Sequence, residues 1–448
     1  MAQAVKEATG SPISIFDAYH PPSPELIDEC VHCGFCLPTC PTYLLWGEEM
    51  DSPRGRIYLM NLGNQGQAAL TDTYVRHFDQ CLGCMACLTA CPSGVQYDKL
   101  IESTRAQIER NYRRSLPDKL FRRLLFALFP HPNRLRVLAA PLWVYQASGL
   151  RGLVQRSNVL DLLPARLKAM ESLLPPISLA GLRSNVPART PARGQRRRRV
   201  GLLLGCVQRV FFGDVNAATA RVLAAEGCEV VAPPEQGCCG ALMVHAGQEQ
   251  DTLALARRMI ETWERVDVDT IVINAAGCGS TLKEYGYLLR DDPVYAERAR
   301  AFSAKCKDIS EVLAELEPRA PRHPLNLRVA YHDACHLQHA QGVRAQPRQV
   351  LGTIPGLEIR EIPEAAICCG SAGVYNLVEP EPAQQLADRK VQHVLSTGAD
   401  ILATSNPGCL LQIMNGLKRA GHPLPALHPV ELVDASIRGV LPAALERR

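Results

Sequence analysis

The sequence predicts a multidomain α+β fold, in which an all-α N-terminal domain is followed by a basic helical segment and then by two copies of an α/β domain. Three observations predict it. A twelve-residue cysteine run occurs twice before residue 93, a stretch rich in Pro and Arg follows, and the C-terminal half repeats its own order of apolar strands and cysteines. The boundaries we expect are 1–115, 116–199, 200–320 and 321–448, which suits a chain of 448 residues.

The N-terminal domain is organised around the cysteine run. CVHCGFCLPTCP begins at Cys30 and CLGCMACLTACP at Cys81, and both have Cys at positions 1, 4, 7 and 11 and Pro at position 12. This spacing is typical of paired 4Fe-4S clusters, where the fourth Cys of each run ligates the other cluster. A zinc site would instead use two Cys-x-x-Cys pairs or include His. We therefore predict two 4Fe-4S clusters, one bound by Cys30, Cys33, Cys36 and Cys91 and the other by Cys81, Cys84, Cys87 and Cys40.

Two short helices are expected between the two ligand loops. Ser52 and Pro53 suit a helix start, and RIYLMNLG predicts a helix that ends at Gly63. A second helix is predicted over Thr71–Gln80, leading into the next loop. Helices bracketed by two cluster loops indicate an all-α ferredoxin-like domain.

The composition indicates the cellular compartment and whether the chain crosses a membrane. Eighteen cysteines in a chain of this length suggest metal-bound thiolates and a reducing cytoplasm. The first twenty residues lack the basic and apolar regions of a signal peptide. No apolar run reaches the ~18 residues of a spanning helix, so we expect no membrane crossing within this sequence.

The segment 116–199 is strongly basic. From Arg105 to Arg199 there are 20 Lys and Arg against 4 Asp and Glu, whereas the rest of the chain has 29 against 41. Residues 116–150 could lie in a membrane interface, peripheral on the inner face of the cytoplasmic membrane. The inward residues would then be Phe121, Leu124, Leu125 and Leu128, with Arg122 and Arg123 at the headgroups. The alternative is a helical hairpin packed on the next domain or on a partner. Arg196–Arg199 has no interleaved aromatic residues, so we expect no nucleic-acid binding.

The C-terminal half contains an internal repeat. Each copy has an apolar strand ending near a Cys, a Cys-Cys-Gly turn, and a second apolar strand ending in Gly-Cys. Matching cysteines are offset by 129, 130, 130 and 131 residues. They are Cys206, Cys238, Cys239 and Cys278 in the first copy and Cys335, Cys368, Cys369 and Cys409 in the second. Because open α/β sheets place their ligand sites at strand carboxyl ends, the four sulfurs of a copy could converge and hold a further iron–sulfur cluster. Buried structural thiols are the alternative.

Other residues of this half are assigned more ordinary roles. Cys228 and Cys306 have no counterpart in the other copy and are predicted to be core residues. His332, His336 and His339 also lack counterparts, which favours local hydrogen bonding over metal ligation. No Gly-x-Gly-x-x-Gly or Walker loop is present, so we expect no FAD, NAD or nucleotide site and no catalytic residue on this chain.

Two cluster runs followed by two Cys-Cys-Gly domains resemble the family of the glycolate oxidase (glycolate dehydrogenase) iron-sulfur subunit. SPRGRIYLM, NAAGCG and TSNPGC carry the resemblance, which covers nearly the whole chain. It implies an electron-transfer subunit whose FAD-containing partner subunits oxidise glycolate to glyoxylate. Electrons would then pass through the clusters towards a membrane quinone pool.

More distant relatives define the alternatives. The chain could belong to a related 2-hydroxy acid or glycerol-3-phosphate dehydrogenase, or it could be a self-contained thiol or quinone reductase similar to heterodisulfide reductase. It could also be a scaffold that anchors the flavoprotein to the membrane. The heterodisulfide reductase motif continues as Cys-x-x-Cys, whereas GST and LLQ follow Cys278 and Cys409 here. The missing fifth cysteine argues against noncubane clusters and disulfide chemistry.

Overall fold

The computed structural model describes residues 14–177, 186–442 and Leu445. The chain forms two compact units, one of residues 1–119 and 243–249 and one of residues 120–242 and 250–448. The predicted linker falls partly on residues 178–185, which lie outside the described part. Each unit is considered by itself below.

The N-terminal unit is helical in its described residues up to 119. Its α-helices are α1 Pro24–Asp28, α2 Pro41–Trp46, α3 Pro53–Asn64, α4 Asp72–Asp79, α5 Ala86–Ala90, α6 Tyr97–Asn111 and the start of α7 Leu116–Leu128, with 3-10 turns at Leu37–Thr39 and Glu49–Asp51. Both predicted helices are confirmed. The hydroxyl of Ser52 accepts a hydrogen bond from the Gly55 amide to cap α3, and Thr71 caps α4 in the same way.

The basic segment forms helices that belong to the second unit from residue 120 onwards. They are α7, α8 Pro132–Ala147, α9 Leu150–Arg156 and α10 Ala165–Ser172, with a 3-10 turn at Asn158–Leu162. Leu125 is fully buried with Leu377 and Val378, and Phe121 packs against the same cluster. Leu124, by contrast, is 47% exposed. This geometry favours the packed-helix alternative for Phe121 and Leu125, whereas Leu124 is not part of the cluster.

The first cysteine-rich domain is built on a mostly parallel sheet. Its strands are β1 Arg189–Thr190, β2 Arg198–Leu202, β3 Cys228–Val231, β4 Thr270–Ile273 and β5 Cys306–Asp308, in the order β1-β3-β2-β4-β5 with β1 antiparallel. Its helices are α11 Val207–Phe211, α12 Gly213–Ala225, α13 Ala241–Val244, α14 Glu249–Glu264, α15 Ala276–Lys283, α16 Tyr285–Leu288, α17 Ala296–Ala304 and α18 Ile309–Glu315. Val200 pairs with Val230 on one side and Thr270 on the other, which makes β2 a central strand.

The second cysteine-rich domain has a parallel sheet of the same kind. Its strands are β6 Leu327–His332, β7 Leu357–Glu361, β8 Ile401–Thr404 and β9 Ala426–Leu427, in the order β7-β6-β8-β9. Its helices are α19 Ala345–Leu351, α20 Tyr375–Val378, α21 Pro380–Ser396, α22 Pro407–Arg419 and α23 Pro429–Arg438, with a π-helical turn at His336–Ala340. The neighbour order around β6 corresponds to that around β2, so in both domains the two strands that are each followed by a cysteine lie side by side.

One hydrophobic core joins the two cysteine-rich domains. Val200 and Leu202 of the first sheet and Val329 and Tyr331 of the second belong to the same buried cluster. Helix α12 packs against α23, where Arg221 bridges to Asp434 at 2.7 Å. Cys228 lies in this core and Cys306 in the neighbouring one, which confirms their prediction as core residues.

A buried carboxyl at the start of α23 makes stability depend on pH. Glu431 accepts a hydrogen bond from the His428 amide at 2.8 Å, and burial raises the pKa of Glu431 from 4.5 to about 7. Because the folded state holds this proton more tightly, the group removes stability as pH rises from about 4.5 to about 7. The gap corresponds to about 3 kcal/mol.

Glu431→Gln should therefore gain about 3 kcal/mol relative to wild type between pH 4.5 and pH 8, since glutamine keeps the acceptor oxygen but cannot ionise. Denaturant unfolding of both chains across this range measures the difference. The neighbouring His428 titrates in both chains and cancels. A difference that stays constant with pH would contradict the expectation.

Candidate functional site

The N-terminal unit contains a cavity lined by cysteines of both runs. Its cysteines are Cys30, Cys33, Cys36, Cys87 and Cys91. The loop after Cys33 turns through Gly34, whose φ of +87° favours glycine, and a Cβ there would lie 2.7 Å from a guanidinium nitrogen of Arg54. The fold thus brings Cys91 to the first three cysteines of the other run.

A second cavity in the same unit has the reciprocal lining. Its cysteines are Cys40, Cys81, Cys84 and Cys87. Cys40 is the residue before helix α2, whose first residue is Pro41, so the helix start fixes where this thiol lies. The last cysteine of the first run therefore lies with the first three of the second run.

A buried arginine lies beside the second cavity. Arg56 is 1% exposed, and its guanidinium donates to the carbonyl oxygens of His77 at 2.5 Å and Asp51 at 2.6 Å. It also pairs with the Asp51 carboxylate at 3.3 Å. Burial alone would lower the pKa of Arg56, but the thiols of Cys81 and Cys40 and the Asp51 carboxyl raise it overall. The cavity therefore has a permanent positive charge next to its sulfurs.

Positive charge and hydrogen bonds favour the thiolate of Cys81. Burial would raise the pKa of Cys81, but the guanidinium groups of Arg56 and Arg105 outweigh burial and lower it. The amide of Gly83 donates to the Cys81 sulfur at 3.4 Å, and the Tyr97 hydroxyl lies 3.7 Å from it. In the first cavity, burial raises the pKa of Cys36 to about 11. Amide donors and nearby cations are the features that tune sulfur ligands.

The first cysteine-rich domain brings its four predicted cysteines together. Cys206 and Cys238 have sulfurs 3.4 Å apart, and the thiol of Cys239 contacts those of Cys238 and Cys278. Cys278 is half-buried and the other three are buried. Four sulfur donors thus form one continuous cluster beyond the carboxyl ends of β2 and β4.

The second domain assembles its four cysteines in the same way. The thiol of Cys368 contacts those of Cys335 and Cys369, and Cys369 in turn contacts Cys409. The side-chain amide of Asn406 donates to the Cys409 sulfur at 3.3 Å. All four thiols are buried, so this site is closed to bulk water.

The three histidines near Cys335 do not share one role. His339 hydrogen-bonds the Ala366 carbonyl at 3.1 Å, and His336 lies 3.4 Å from the Cys335 sulfur, as local hydrogen bonding predicts. His332 differs, because its ring lies with the sulfurs of Cys369 and Cys409. For His332, local hydrogen bonding stays a prediction.

Sequence reasoning also missed the buried cations. Arg56, Arg105 and Lys390 lie next to the cysteine clusters, and each is less than 10% exposed. A signal for Arg56 was present, since SPRGRIYLM places a charged residue on the buried face of a predicted helix. Lys390 could have been noticed by comparing the two copies, because the matching position of the first copy is the apolar Ile260.

The sequence matches three families along its length. The 4Fe-4S dicluster domain matches residues 26–95, the linker region of the glycolate oxidase iron-sulfur subunit matches residues 117–174, and the cysteine-rich domain matches residues 200–283 and again 329–414. A probable glycolate oxidase iron-sulfur subunit from Bacillus subtilis is 42% identical over 88% of this chain and 89% of its own length. The chain belongs to the glycolate oxidase iron-sulfur subunit family.

Other members and relatives fit this placement. The glycolate oxidase iron-sulfur subunit of Escherichia coli is 36% identical over 92% of this chain and 94% of its own length. Lactate utilization protein A of Halalkalibacterium halodurans is 33% identical, but over 53% of this chain. The crystal structure of a hypothetical protein from Helicobacter pylori shares the fold, with a TM-score of 0.56 at 12% identity over 94% of this chain and 74% of that one.

Membership of the glycolate oxidase iron-sulfur subunit family establishes the coarse properties of the chain. It is an iron–sulfur protein with a 4Fe-4S dicluster domain and two cysteine-rich domains, and it is a subunit of an oxidoreductase. The mixed α/β architecture agrees with this. Within the described residues, no helix is both long enough and apolar enough to cross a bilayer.

Proposed function

We propose that the chain is the electron-transfer subunit of a glycolate dehydrogenase (glycolate oxidase) complex. FAD-containing partner subunits would oxidise glycolate to glyoxylate, and this chain would pass the electrons towards a membrane quinone acceptor. The observation that carries the proposal is the pair of cavities in the N-terminal unit, each lined by three cysteines of one run and the last cysteine of the other. Relatives named as glycolate oxidase iron-sulfur subunits support the choice of substrate.

The cavity linings support a crossed ligand assignment. Cys30, Cys33, Cys36 and Cys91 would bind one 4Fe-4S cluster, and Cys81, Cys84, Cys87 and Cys40 the other. Cys87 lines both cavities, and we assign it to the second because its run supplies the other two thiols there. In this proposal residues 1–115 are an all-α ferredoxin-like domain, and residues 200–320 and 321–448 are duplicated copies.

Bound clusters supply one-electron transfer, which divides the two-electron chemistry of a flavin into single steps. The residues of this chain hold and tune them. The thiolates would bind iron, the Gly83 amide donates to the Cys81 sulfur, and the guanidinium of Arg56 would stabilise negative charge on a bound cluster. The guanidinium of Arg56 should therefore raise the reduction potential of the second cluster.

The cysteine-rich domains are candidate sites for a further cluster. The convergent thiols of Cys206, Cys238, Cys239 and Cys278, or of Cys335, Cys368, Cys369 and Cys409, meet the count of four that a cubane needs. The two clusters of the N-terminal unit alone would give about eight iron atoms per chain, and a third cluster would bring the total to about twelve. Iron analysis of the anaerobically reconstituted chain decides between these, and about eight atoms would count against a third cluster.

The linker helices offer the contact with the partner subunits and the membrane. Leu120 and Leu124, which are four residues apart on α7, are 66% and 47% exposed. Exposed apolar side chains recur at Val137, Val144 and other positions of this basic stretch. An apolar face rimmed by basic residues suits an acidic partner surface or an anionic lipid interface on the inner face of the cytoplasmic membrane.

Leu120→Glu combined with Leu124→Glu should weaken this contact by tenfold or more, because burying even one leucine contributes ~1.5–3 kcal/mol. Capture of the flavin subunits and flotation with anionic liposomes are measured separately, so that the two surfaces are distinguished. Val294→Glu, a 61% exposed position of the first cysteine-rich domain, is the matched control. Unchanged binding in both assays would show that α7 contacts neither the flavin subunits nor the membrane.

An anaerobic affinity pull-down from the native cell extract tests the proposed function. The eluate is assayed for FAD and for glycolate-dependent dye reduction. We expect flavin subunits to co-purify with that activity. A chain that emerges alone, coloured by its clusters and inert towards 2-hydroxy acids, would overturn the glycolate assignment and favour the thiol or quinone reductase.

A further inference from the structure

The two cysteine loops of the N-terminal unit have the same backbone shape. Positions 3 and 5 of each twelve-residue run are left-handed, with φ of +53° at His32 and +87° at Gly34 in the first loop and +61° at both Gly83 and Met85 in the second. Because the backbones correspond, side chains at matching positions can be compared one by one. The comparison shows which parts of the first loop are exposed where the second is buried.

The first loop is uncovered at three positions that are buried in the second. The exposed fractions are 68% for Val31 and 67% for Phe35, against 5% for Leu82 and 1% for Ala86 at the matching positions. Cys33, which lies between the two apolar residues, is exposed, and its counterpart Cys84 is buried. Exposed apolar side chains grouped on one surface, with polar residues around them, mark an interaction site.

The second loop is covered by other residues of the same unit. Arg105 of α6 donates hydrogen bonds to the carbonyl oxygen of Cys81 and, at 2.7 Å, to that of His245. A Cβ built on Gly83 would lie 3.4 Å from a guanidinium nitrogen of Arg105 and 3.7 Å from the His245 ring. Helix α6 and the segment 243–249, which belongs to this unit, thus lie over the second loop. No described residue covers the first loop in this way.

Arg54 fixes the shape of the exposed loop. Its guanidinium donates to the His32 carbonyl at 2.9 Å and pairs with Glu49 at 2.6 Å. His32 has a Cβ in a left-handed conformation, a strain that Gly83 avoids at the matching position. A loop that is ordered before binding loses little entropy on association, so this arrangement suits a docking surface.

Exposed acidic residues lie next to the loop in the chain. Glu25, Asp28 and Glu29 all fall within the five residues before Cys30, and all three are exposed. Negative charge repels an anionic membrane surface and attracts a basic protein face. The charge therefore favours a protein partner over a lipid surface at this loop.

We propose that the loop Val31–Phe35 is the surface on which a flavin-bearing partner subunit docks, through an apolar pocket with basic residues around it. The inference rests on the proposed function, because it identifies where the electron donor meets this chain. Docking there would place the partner against Cys33, the exposed thiol of the first proposed cluster. It would also bury the two apolar side chains of the first loop, as Leu82 and Ala86 are buried in the second.

Anaerobic binding of flavin subunits, released from the native complex, to the reconstituted full chain tests the proposal. Phe35→Ala installs the residue of the second loop, so it should keep both clusters and their reduction by dithionite. It should weaken binding at least tenfold, because aromatic side chains at the centre of an interface contribute most of the affinity. Tyr58→Ala is the matched control and should bind like wild type, since Tyr58 is an exposed aromatic residue of the same unit that lines neither cavity.

Asp28→Lys combined with Glu29→Lys tests the charge without changing the loop. This variant should slow association severalfold at low salt, and the difference should shrink as salt is added, because exposed charges steer the encounter and are screened by ions. Wild-type binding by both this variant and Phe35→Ala would overturn the docking surface. So would a loss confined to flotation with phosphatidylglycerol liposomes or to self-association of the chain.

The docking surface and the proposed function can fail separately. Unchanged binding by the variants, in a complex that oxidises glycolate, would overturn the docking surface alone. Weakened binding by the variants, with flavin subunits that do not oxidise glycolate, would support the docking surface and overturn the glycolate assignment.

Discussion

Cys91→Ser is expected to remove the same cluster as Cys33→Ser, although the two residues belong to different runs. Cys40→Ser should likewise remove the same cluster as Cys84→Ser. The reason is that Cys91 lines the cavity of Cys33, whereas Cys40 lines that of Cys84. Loss of one thiolate ligand leaves an iron with an incomplete shell, so each variant should lose about four of about eight ferredoxin-type iron atoms.

Iron content and electron paramagnetic resonance of the reduced chains measure this. The four spectra should fall into two matching pairs, Cys33→Ser with Cys91→Ser and Cys84→Ser with Cys40→Ser, because each pair retains the same surviving cluster. Cys228→Ser is the control, since it changes a core thiol outside both cavities. Pairing by run, with Cys40→Ser matching Cys33→Ser, would show that each run closes its own cluster.

Arg56→Met is expected to destabilise the N-terminal unit by about 3–5 kcal/mol, the range for removing one partner of a buried ion pair. The variant leaves the Asp51 carboxylate without the guanidinium, which lies 3.3 Å away, and deprives the His77 carbonyl of its donor. Methionine fills much of the volume but supplies no hydrogen bonds. The cluster bound next to it should also become harder to reduce, since a nearby positive charge is lost.

Denaturant unfolding, followed by the loss of visible cluster absorbance, measures the change, and a redox titration measures the potential. Arg54→Met is a suitable control. Arg54 lies in the same helical turn and pairs with Glu49 at 2.6 Å, but its side chain is 27% exposed, so its loss should cost less than about 1 kcal/mol. Equal stability of Arg56→Met and Arg54→Met would show that the buried network does not support the unit.

Local signals in the sequence predicted the helices and the order of elements well. Ser52 and Thr71 cap helices α3 and α4 as expected, because capping depends on a few adjacent residues. Apolar runs ending in cysteines likewise predicted strands β2 and β8. Such patterns are visible in a single sequence because periodicity and capping act over short distances.

Features that depend on distant packing could not be read in this way. Nothing near His332 shows that β8 would bring Cys409 to its ring, since the two residues are far apart in the chain and meet only when the sheet forms. The apolar face of α7 allowed two interpretations, a membrane and a protein surface. The structure decides for a protein surface on the side of α7 that carries Leu125, because Leu125 packs on Leu377 and Val378 of α20.

The most direct test of the electron-transfer role compares complexes assembled with wild-type chain and with Cys91→Ser. Flavin reduction by glycolate and glycolate-dependent quinone reduction are measured on the same anaerobic samples. We predict that the variant complex keeps flavin reduction but loses quinone reduction, because the electron path through this chain is broken. A variant complex that reduces quinone at the wild-type rate would contradict the central claim.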